Sequence, residues 1–364
     1  MQELVDLCHY GGDLHLSRFR AFKSQDFYAL VNDYTETCFP LEFSTSGGAR
    51  SMGHCSDFAN YIYYGGARLS MDFGGFPEIL DRKMHNCPTT VRVHGEYPNW
   101  QFFGMNLTNY WMPNLEQIQV EQMKFFEHID TVLCKVRAMC VAVERFINAQ
   151  QTNNTFGIHK FPKFKYMSHS SPDPFEDGPK LLGEEEFKNI TQDYNTFYHS
   201  YGHSGRKSTQ QVFQCWRKHP EWPNLTIVEF PELRRLQLTS GVHLCPSSQE
   251  GYGHYINEAR AVGAVVLVTD HAPMNEFVED GISGILVDHY DLTTESYQGM
   301  APYFKSVAPV GEDHICSAVS RVLKLTIEER RQIGQNARKN YLHDKNEMIK
   351  NIEELRNEIT KKTI

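Results

Sequence analysis

The stretch Glu250-Gly251-Tyr252-Gly253-His254-Tyr255-Ile256-Asn257-Glu258 decides the fold of this chain. Upstream of it, the apolar run Val242 to Pro246 is typical of a short buried strand. Downstream, Ile256 to Gly263 keeps helical spacing and is followed by a second apolar run, Val265 to Val268. The pattern therefore predicts a strand, a glycine turn, a helix and another strand.

The glycine turn and the two glutamates suit one kind of ligand. A Gly-x-Gly turn at a helix N-terminus exposes backbone N–H groups where the helix dipole favours an anion such as a phosphate. Glu258, which we expect about two turns into the helix, is placed to accept hydrogen bonds from a pair of ligand hydroxyls. A phosphate cradle beside a hydroxyl-binding carboxylate predicts a nucleotide-sugar site.

This stretch resembles the donor-binding half of the retaining GT-B glycosyltransferases, especially the large family four, or group 1. Its motif, E-G-[FY]-G-x4-E-A, is matched here by Glu250, Gly251, Tyr252, Gly253, Glu258 and Ala259. The similarity continues to Val287, over about 40 residues. The resemblance implies an α/β protein of GT-B architecture, with two Rossmann-like doubly wound domains that face a central cleft.

Composition limits the classes of function. The 364 residues suffice for two domains, and 40% hydrophobic with 22% charged residues is ordinary for a globular protein. A net charge of −9 gives no footprint for nucleic acid, so no nucleic-acid partner is expected. No stretch resembles a signal peptide or a membrane span. Nine scattered cysteines without a C-x-x-C pair predict free thiols in a reducing compartment. We expect a cytoplasmic protein, with peripheral membrane association left open.

Alternating strands and helices divide the chain. We predict a divergent acceptor-side Rossmann-like domain over residues 1–172, a nucleotide-sugar-binding Rossmann-like domain over 173–345, and an amphipathic C-terminal helix over 346–364. The resemblance implies that this last helix packs back on the first domain, and a solvated terminal helix is the alternative. A Ser- and Pro-rich segment, Tyr166 to Gly183, is expected to link the domains. In the first half, we expect a helix over Gln117–His128 and a strand over Phe156–Phe161.

A glycine-rich basic turn, Tyr201 to Thr209, follows a predicted strand. Lys207 matches the lysine that, in the family, neutralises the donor diphosphate, and Arg206 is expected to add a bidentate contact. Ser204 would add a hydroxyl donor. The family's arginine is replaced by His203, so which cation touches which phosphate stays open, and a solvated turn is the alternative. A P-loop is rejected because Arg206 stands where that motif needs glycine.

The resemblance also assigns roles around the glutamates. Glu258 would bind the ribose hydroxyls, and Glu250 would contact the donor sugar or stabilise charge near its anomeric carbon. Gly251, Tyr252 and Gly253 would present backbone N–H groups to the donor. The alternatives are an exposed helix carboxylate and glycines that only form a turn. The region between Ile227 and Val242 is short for the family, so the nucleobase is undetermined. It leaves Pro231, Glu232 and Leu233 to form any base pocket.

In the first domain, the best acceptor-side candidate is the stretch Arg92-Val93-His94-Gly95-Glu96, which lies at the end of a predicted strand. His94 and Glu96 would point toward the cleft and bind acceptor hydroxyls, although a structural histidine is the alternative. Gly47-Gly48 resembles the family's glycine loop near the acceptor. If the enzyme inverts configuration, the candidate bases are Asp13, Asp57 and Asp72.

The expected catalytic residues are therefore Glu250, Lys207 and His94, with a nucleoside diphosphate sugar as co-substrate and a glycan or glycoconjugate as acceptor. No D-x-D occurs, which favours a metal-independent site without a cofactor. The resemblance implies retention of configuration. Two alternatives stay open: a phosphorylase-like or nucleotide-sugar-modifying GT-B enzyme, and a noncatalytic glycan-binding or partner subunit on this fold.

Overall fold

The structure is a computed structural model, and it divides the chain into two compact units. The first unit comprises Met1–His169, Gly299–Phe304 and Asn346–Ile364, and the second comprises Ser170–Gln298 and Lys305–Lys345. The structure describes residues 41–45, 61, 68–73, 76–77, 91–95, 98, 103, 107–200, 204–228, 233–291, 303–304 and 307–363.

The second unit is built on a five-stranded sheet with the order β12-β11-β10-β8-β9, in which every pairing is parallel. The strands are β8 (Asp193–Ser200), β9 (Leu225–Val228), β10 (Ser240–Cys245), β11 (Val265–Thr269) and β12 (Ile285–Val287). The chain runs from β8 outward to β9, returns to β10 on the other side of β8, and continues away to β12. Its direction therefore reverses between β8 and β10, as in a doubly wound sheet.

Helices cover both faces of this sheet. They are α2 (Pro174–Leu182), α3 (Glu184–Lys188), α4 (Thr209–Lys218), α5 (Leu233–Thr239), α6 (His254–Ala261), α7 (Glu312–Leu323) and the first part of α8 (Ile327–Thr363). Strand β11 shows the two faces: Val265 and Leu267 pack in the core cluster that contains α4 and α7, whereas Val266 and Val268 pack with α6. The alternation follows from the two-residue period of a strand. It explains why β11 is apolar throughout.

The first unit contains a seven-stranded sheet, ordered β3-β2-β1-β4-β5-β6-β7. Its strands are β1 (Leu41–Thr45), β2 (Arg68–Phe73), β3 (Phe76–Pro77), β4 (Val91–His94), β5 (Thr108–Trp111), β6 (Thr131–Cys134) and β7 (Lys163–Tyr166). All pairings are parallel except the antiparallel pair β2–β3. Helix α1 (Arg137–Asn153) connects β6 to β7. Direction reverses between β1 and β4, so this sheet is doubly wound as well.

One expectation for the first half holds in part and another is wrong. The helix expected over Gln117–His128 forms over Val120–His128, and it is a 3-10 helix. The segment Phe156–Phe161 is not a strand, because Asn154 with a φ of 40° and Gly157 with a φ of 64° turn the chain after α1. The strand forms later, as β7.

The expected linker is partly helical. Within Tyr166–Gly183 the structure has α2, whose first turn is capped by Asp173: its Oδ1 accepts from the backbone N–H of Phe175 at 3.0 Å. Pro174 at the first helical position is compatible with this cap, because that position needs no N–H partner. The Pro- and Ser-rich segment that was expected to be a linker therefore contains the start of helix α2.

The predicted C-terminal helix over 346–364 is the last part of a longer helix. Helix α8 runs without a break from Ile327 to Thr363, and residues 335–363 include neither glycine nor proline. Its later part belongs to the first unit, where Lys165 Nζ pairs with Glu358 Oε1 at 2.6 Å and Asn351 Nδ2 donates to Met167 O at 3.1 Å.

The expectation that the cysteines are free is wrong for four of them. Cys134 is paired with Cys140, and Cys215 of α4 is paired with Cys316 of α7. The second pair is 101 residues apart in sequence, and it forms because α4 and α7 pack against the same face of the sheet. Such a pairing depends on tertiary packing and leaves no local spacing signal. Cys245 is a buried free thiol.

Among the described residues, no helix combines the length and the apolar character that crossing a membrane would require.

The contact between Gly334 of α8 and Gly263, the turn residue before β11, yields a prediction. A Cβ at position 334 would overlap the carbonyl oxygen of Gly263 and lie 3.1 Å from the Tyr194 ring. We expect Gly334→Ala to lower the free energy of unfolding by about 1–3 kcal/mol, even though alanine favours helices by up to ~1 kcal/mol over glycine. Urea denaturation followed by circular dichroism measures the change.

The control is Gln335→Ala on the exposed side of the same turn of α8, which should change the unfolding free energy by less than about 0.5 kcal/mol. Wild-type stability in Gly334→Ala would show that the two backbones are not in close contact.

Candidate functional site

Two loops meet at the carboxyl edge of the second sheet. The turn Ser204–Ser208 follows β8, and the loop 246–253 follows β10. The carbonyl oxygen of Arg206 accepts hydrogen bonds from the backbone N–H of Ser248 at 2.8 Å and from its Oγ at 3.3 Å. Because the chain reverses direction between β8 and β10, these loops border the crevice in which doubly wound sheets bind ligands.

Lys207 and Glu250 form the centre of this edge. Lys207 Nζ lies 2.6 Å from Glu250 Oε1, and the two side chains are 16% and 15% exposed. Their charge-assisted hydrogen bond compensates for the hydration that both groups have lost. The structure thus brings together the ammonium and the first carboxylate that the sequence singled out.

Two residues that sequence analysis missed complete this arrangement. Lys207 Nζ lies 3.2 Å from the centroid of the Tyr255 ring, a cation–π contact. The buried Ser247 contacts both partners of Lys207. Its Oγ donates to Glu250 Oε1 at 2.5 Å and lies 2.6 Å from Tyr255 Oη. Since the carboxylate only accepts, the serine proton points to Glu250 and the phenol donates to Ser247. Burial raises the pKa of Tyr255 well above its usual value, so the phenol keeps that proton.

The glycine turn ends at the N-terminus of α6. Gly253 caps the helix with a φ of 86°, a left-handed conformation that favours glycine. The Tyr252 ring is buried and contacts the His254 and Phe277 rings edge-on, at centroid distances of 5.1 Å and 5.3 Å. The Tyr252 side chain therefore anchors the turn, and the donor contacts expected of Gly251, Tyr252 and Gly253 stay predictions.

Glu258 is the fifth residue of α6, so it lies about one turn into the helix and not two as expected. Its Oε2 accepts from Gln237 Nε2 at 2.7 Å, and its Oε1 lies 4.0 Å from an Arg234 nitrogen. Both partners are on α5, and neither was singled out from the sequence. The Glu258 side chain is 17% exposed, which contradicts a fully solvated helix carboxylate.

A buried histidine contacts the last residue of the basic turn. His199, near the end of β8, lies with Nδ1 2.8 Å from Leu244 O and Nε2 2.9 Å from Thr209 Oγ1. A carbonyl only accepts, so Nδ1 carries the proton and the bare Nε2 accepts from Thr209. Burial, with a contribution from the nearby Lys207 charge, lowers the pKa of His199 from 6.5 to about 4. The ring is therefore neutral at physiological pH.

The remaining donor-side candidates lie on the basic turn and are exposed. Ser204 caps the short 3-10 helix Gly205–Lys207 by accepting from Arg206 N at 3.3 Å, and the Arg206 side chain is open to solvent. The position of both residues beside Lys207 agrees with the sequence, while their roles stay predictions. His203, Pro231 and Glu232 lie outside the described residues.

His94, which was expected to point toward the cleft, is buried. It ends β4, beside the reversal point of the first sheet, but it is 1% exposed and its Nε2 lies 2.9 Å from Asn109 Oδ1. Burial lowers the pKa of His94 to about 4. These contacts favour the structural alternative. Outside the described residues or side chains lie the other candidates of this domain: Gly47, Gly48, Glu96, Asp13, Asp57 and Asp72.

Comparison with solved structures shows the fold. A sucrose-phosphate synthase from Thermosynechococcus elongatus matches with a TM-score of 0.60 and 12% identity, over 88% of this chain and 99% of that protein. A glycosyltransferase from Rickettsia africae matches with 0.57 and 13%, over 88% and 98%. Anabaena HepE, in complex with UDP, matches with 0.56 and 12%, over 88% and 99%. The fold is GT-B, as predicted.

The sequence of the second unit resembles one family. Residues 188–296 match the model of the family described as Glycosyl transferases group 1. This match contains the whole stretch from β8 to β12, and it confirms the resemblance to group 1 glycosyltransferases. No curated protein has a significantly similar sequence.

The buried His199 yields a prediction about pH. Its folded-state pKa of about 4 lies below the ordinary 6.5, so the unfolded chain takes up the proton first as pH falls. The stability that depends on the neutral ring is therefore complete above pH 6.5 and is lost as pH falls toward 4. Between about pH 7 and about pH 5, we expect this residue alone to cost on the order of 1–2 kcal/mol.

Urea unfolding of the wild type and of His199→Gln across that range measures the effect. The variant should show a weaker dependence of the unfolding free energy on pH, since glutamine does not titrate. Equal slopes for the two proteins would contradict a buried neutral histidine.

Proposed function

We propose that this chain transfers a sugar from a nucleoside diphosphate sugar to a glycan or glycoconjugate, with retention of configuration and without a metal ion. The observation that carries the proposal is the Lys207–Glu250 pair, which lies at the ligand-binding edge of a GT-B fold. The group 1 match over residues 188–296 supports the same class of reaction.

Lys207 is proposed to bind the donor diphosphate. Its ammonium is held at one point by Glu250 and by the Tyr255 ring, which reduces the freedom it would lose on binding an anion. The exposed guanidinium of Arg206 and the N-terminus of α6 add positive potential on the same edge. Together these groups would stabilise the charge that grows on the leaving diphosphate, which is the task a metal ion performs elsewhere.

Glu250 is proposed to contact the donor sugar. Lys207 and Ser247 both donate to its Oε1, so the carboxylate is fixed, and we assign Oε2 to a sugar hydroxyl. Glu258 is proposed to accept from the ribose. The two glutamates would then contact the two ends of one donor molecule, with Lys207 at the diphosphate between them.

In the proposed reaction, the bond from the anomeric carbon to the diphosphate oxygen breaks, and the acceptor oxygen forms a bond on the same face. The acceptor proton passes to the departing diphosphate oxygen, so no strong protein base is required. The burial of His94 is compatible with this scheme, because it leaves His94 unsuited to act as that base.

The cytoplasmic location expected from the sequence also stays a proposal. The cysteine pairs Cys134–Cys140 and Cys215–Cys316 remove the free-thiol argument for it.

The test incubates the full-length chain with UDP-, GDP- and ADP-sugars and a panel of glycan acceptors. We expect transfer that persists in EDTA and a product with the anomeric configuration of the donor, as determined by NMR. Orthophosphate in place of the acceptor examines the phosphorylase-like alternative. Donor binding without turnover on any acceptor would favour the noncatalytic alternative and contradict the proposal.

One variant and a matched control test the role of Lys207. We expect Lys207→Met to reduce the transfer rate by about 100-fold or more, because it removes charge stabilisation in the transition state. Lys218→Met is the matched control: this lysine on α4 is 53% exposed and pairs with Glu312, so its loss should leave the rate unchanged. Similar rates in wild type and Lys207→Met would refute the role of Lys207.

A further inference from the structure

A polar cluster on α5 contacts Glu258 and is not explained by the diphosphate end of the site. Gln237 Nε2 donates to Glu258 Oε2 at 2.7 Å, and Arg234 NH1 donates to Gln237 Oε1 at 2.8 Å. The same Arg234 nitrogen lies 4.0 Å from Glu258 Oε1. Gln237 is 2% exposed, so both ends of its amide are occupied inside the protein.

The chemistry of the partners fixes the orientation of this amide. A guanidinium can only donate, so it faces the amide oxygen, and an ionised carboxylate can only accept, so it faces the amide nitrogen. Turning the amide over would place like groups against each other at both ends. Gln237 therefore transmits the position of Arg234 to Glu258 through one defined set of hydrogen bonds.

These contacts leave the two oxygens of Glu258 in different situations. Oε2 is engaged by the buried amide, whereas Oε1 is farther from Arg234 than a hydrogen bond allows. The Glu258 side chain is 17% exposed. Oε1 is therefore the oxygen that is placed to accept from a ligand hydroxyl.

We propose that Gln237 and Arg234 are positioning residues that hold Glu258 for a single ribose hydroxyl, and that they thereby set a preference for donors that carry this hydroxyl over the deoxy analogues that lack it. This inference rests on the proposed function, since it assumes a nucleoside diphosphate in the site. Helix α5 lies in the stretch that is short for the family, so the short connection itself supplies both residues.

The preference follows from desolvation. A deoxynucleotide would still cover Glu258 but would leave Oε1 without a donor, and an unpaired charged acceptor is penalised more than a neutral one. Without Gln237, the carboxylate can rotate toward water or Arg234, so the missing hydroxyl matters less. The preference should then decrease, while affinity for the deoxynucleotide changes little.

The experiment titrates UDP, GDP and ADP into the full-length protein by calorimetry and takes the tightest binder forward. Its 2′-deoxy and 3′-deoxy forms are then compared with it. For wild type, we expect about tenfold weaker binding of at least one deoxy form. In Gln237→Met, this ratio should fall to within about twofold of one. Equal affinity of wild type for all three forms would overturn the inference.

Gln150→Met is the matched control. Gln150 is also a buried amide, 1% exposed and bonded to Thr155 and to the Phe156 backbone, but it belongs to the first unit. It should lower the unfolding temperature and keep the wild-type ratio. If Gln237→Met does not fold, Arg234→Met carries the test, since it releases the amide oxygen and should also reduce the ratio.

The outcomes separate this inference from the function on which it depends. If wild type binds none of the three diphosphates, the proposed function fails and the inference falls with it. If Glu258→Gln removes the preference but Gln237→Met and Arg234→Met both keep it, the ribose contact stands and the positioning role is refuted.

Discussion

An ion pair partly withdrawn from water organises the edge of the second unit. Lys207 and Glu250 come from loops that follow adjacent strands, β8 and β10, and each side chain retains about one-sixth of its exposure. Removing either charge would leave the other unpaired where water cannot fully replace the partner. The Tyr255 ring and the Ser247 hydroxyl both contact this pair, so the positions of these two side chains depend on it.

The sequence predicted the second unit well because its signals are local. Helix α4 occupies Thr209–Lys218 and β9 occupies Leu225–Val228, and the helix ends where it does because the intervening His219-Pro220 and Pro223 cannot continue it. The apolar runs of β10 and β11 could only be buried strands in an alternating α/β pattern. The approach of Lys207 to Glu250 followed from the same logic, because parallel strands place their carboxyl ends at one edge.

The residues that were missed act through contacts with distant parts of the chain. Gln237 is 21 positions from Glu258, and nothing in its neighbourhood distinguishes it from any other helix glutamine. Tyr255 has the spacing of an ordinary helix residue, and its cation–π contact exists only because the turn after β8 places Lys207 over its ring. The buried contact of His94 was missed for the same reason: its partner, Asn109, belongs to the neighbouring strand β5.

Helix α8 has a consequence for how the chain is made. Met348, Ile352, Leu355 and Ile359, which are at most 2% exposed, belong to the first unit although nearly two hundred residues separate them from His169. A ribosome that has delivered the first sheet has therefore not yet delivered the helix that completes its packing. The apolar surface that this helix covers therefore stays exposed in the nascent N-terminal half until the second unit has been synthesised.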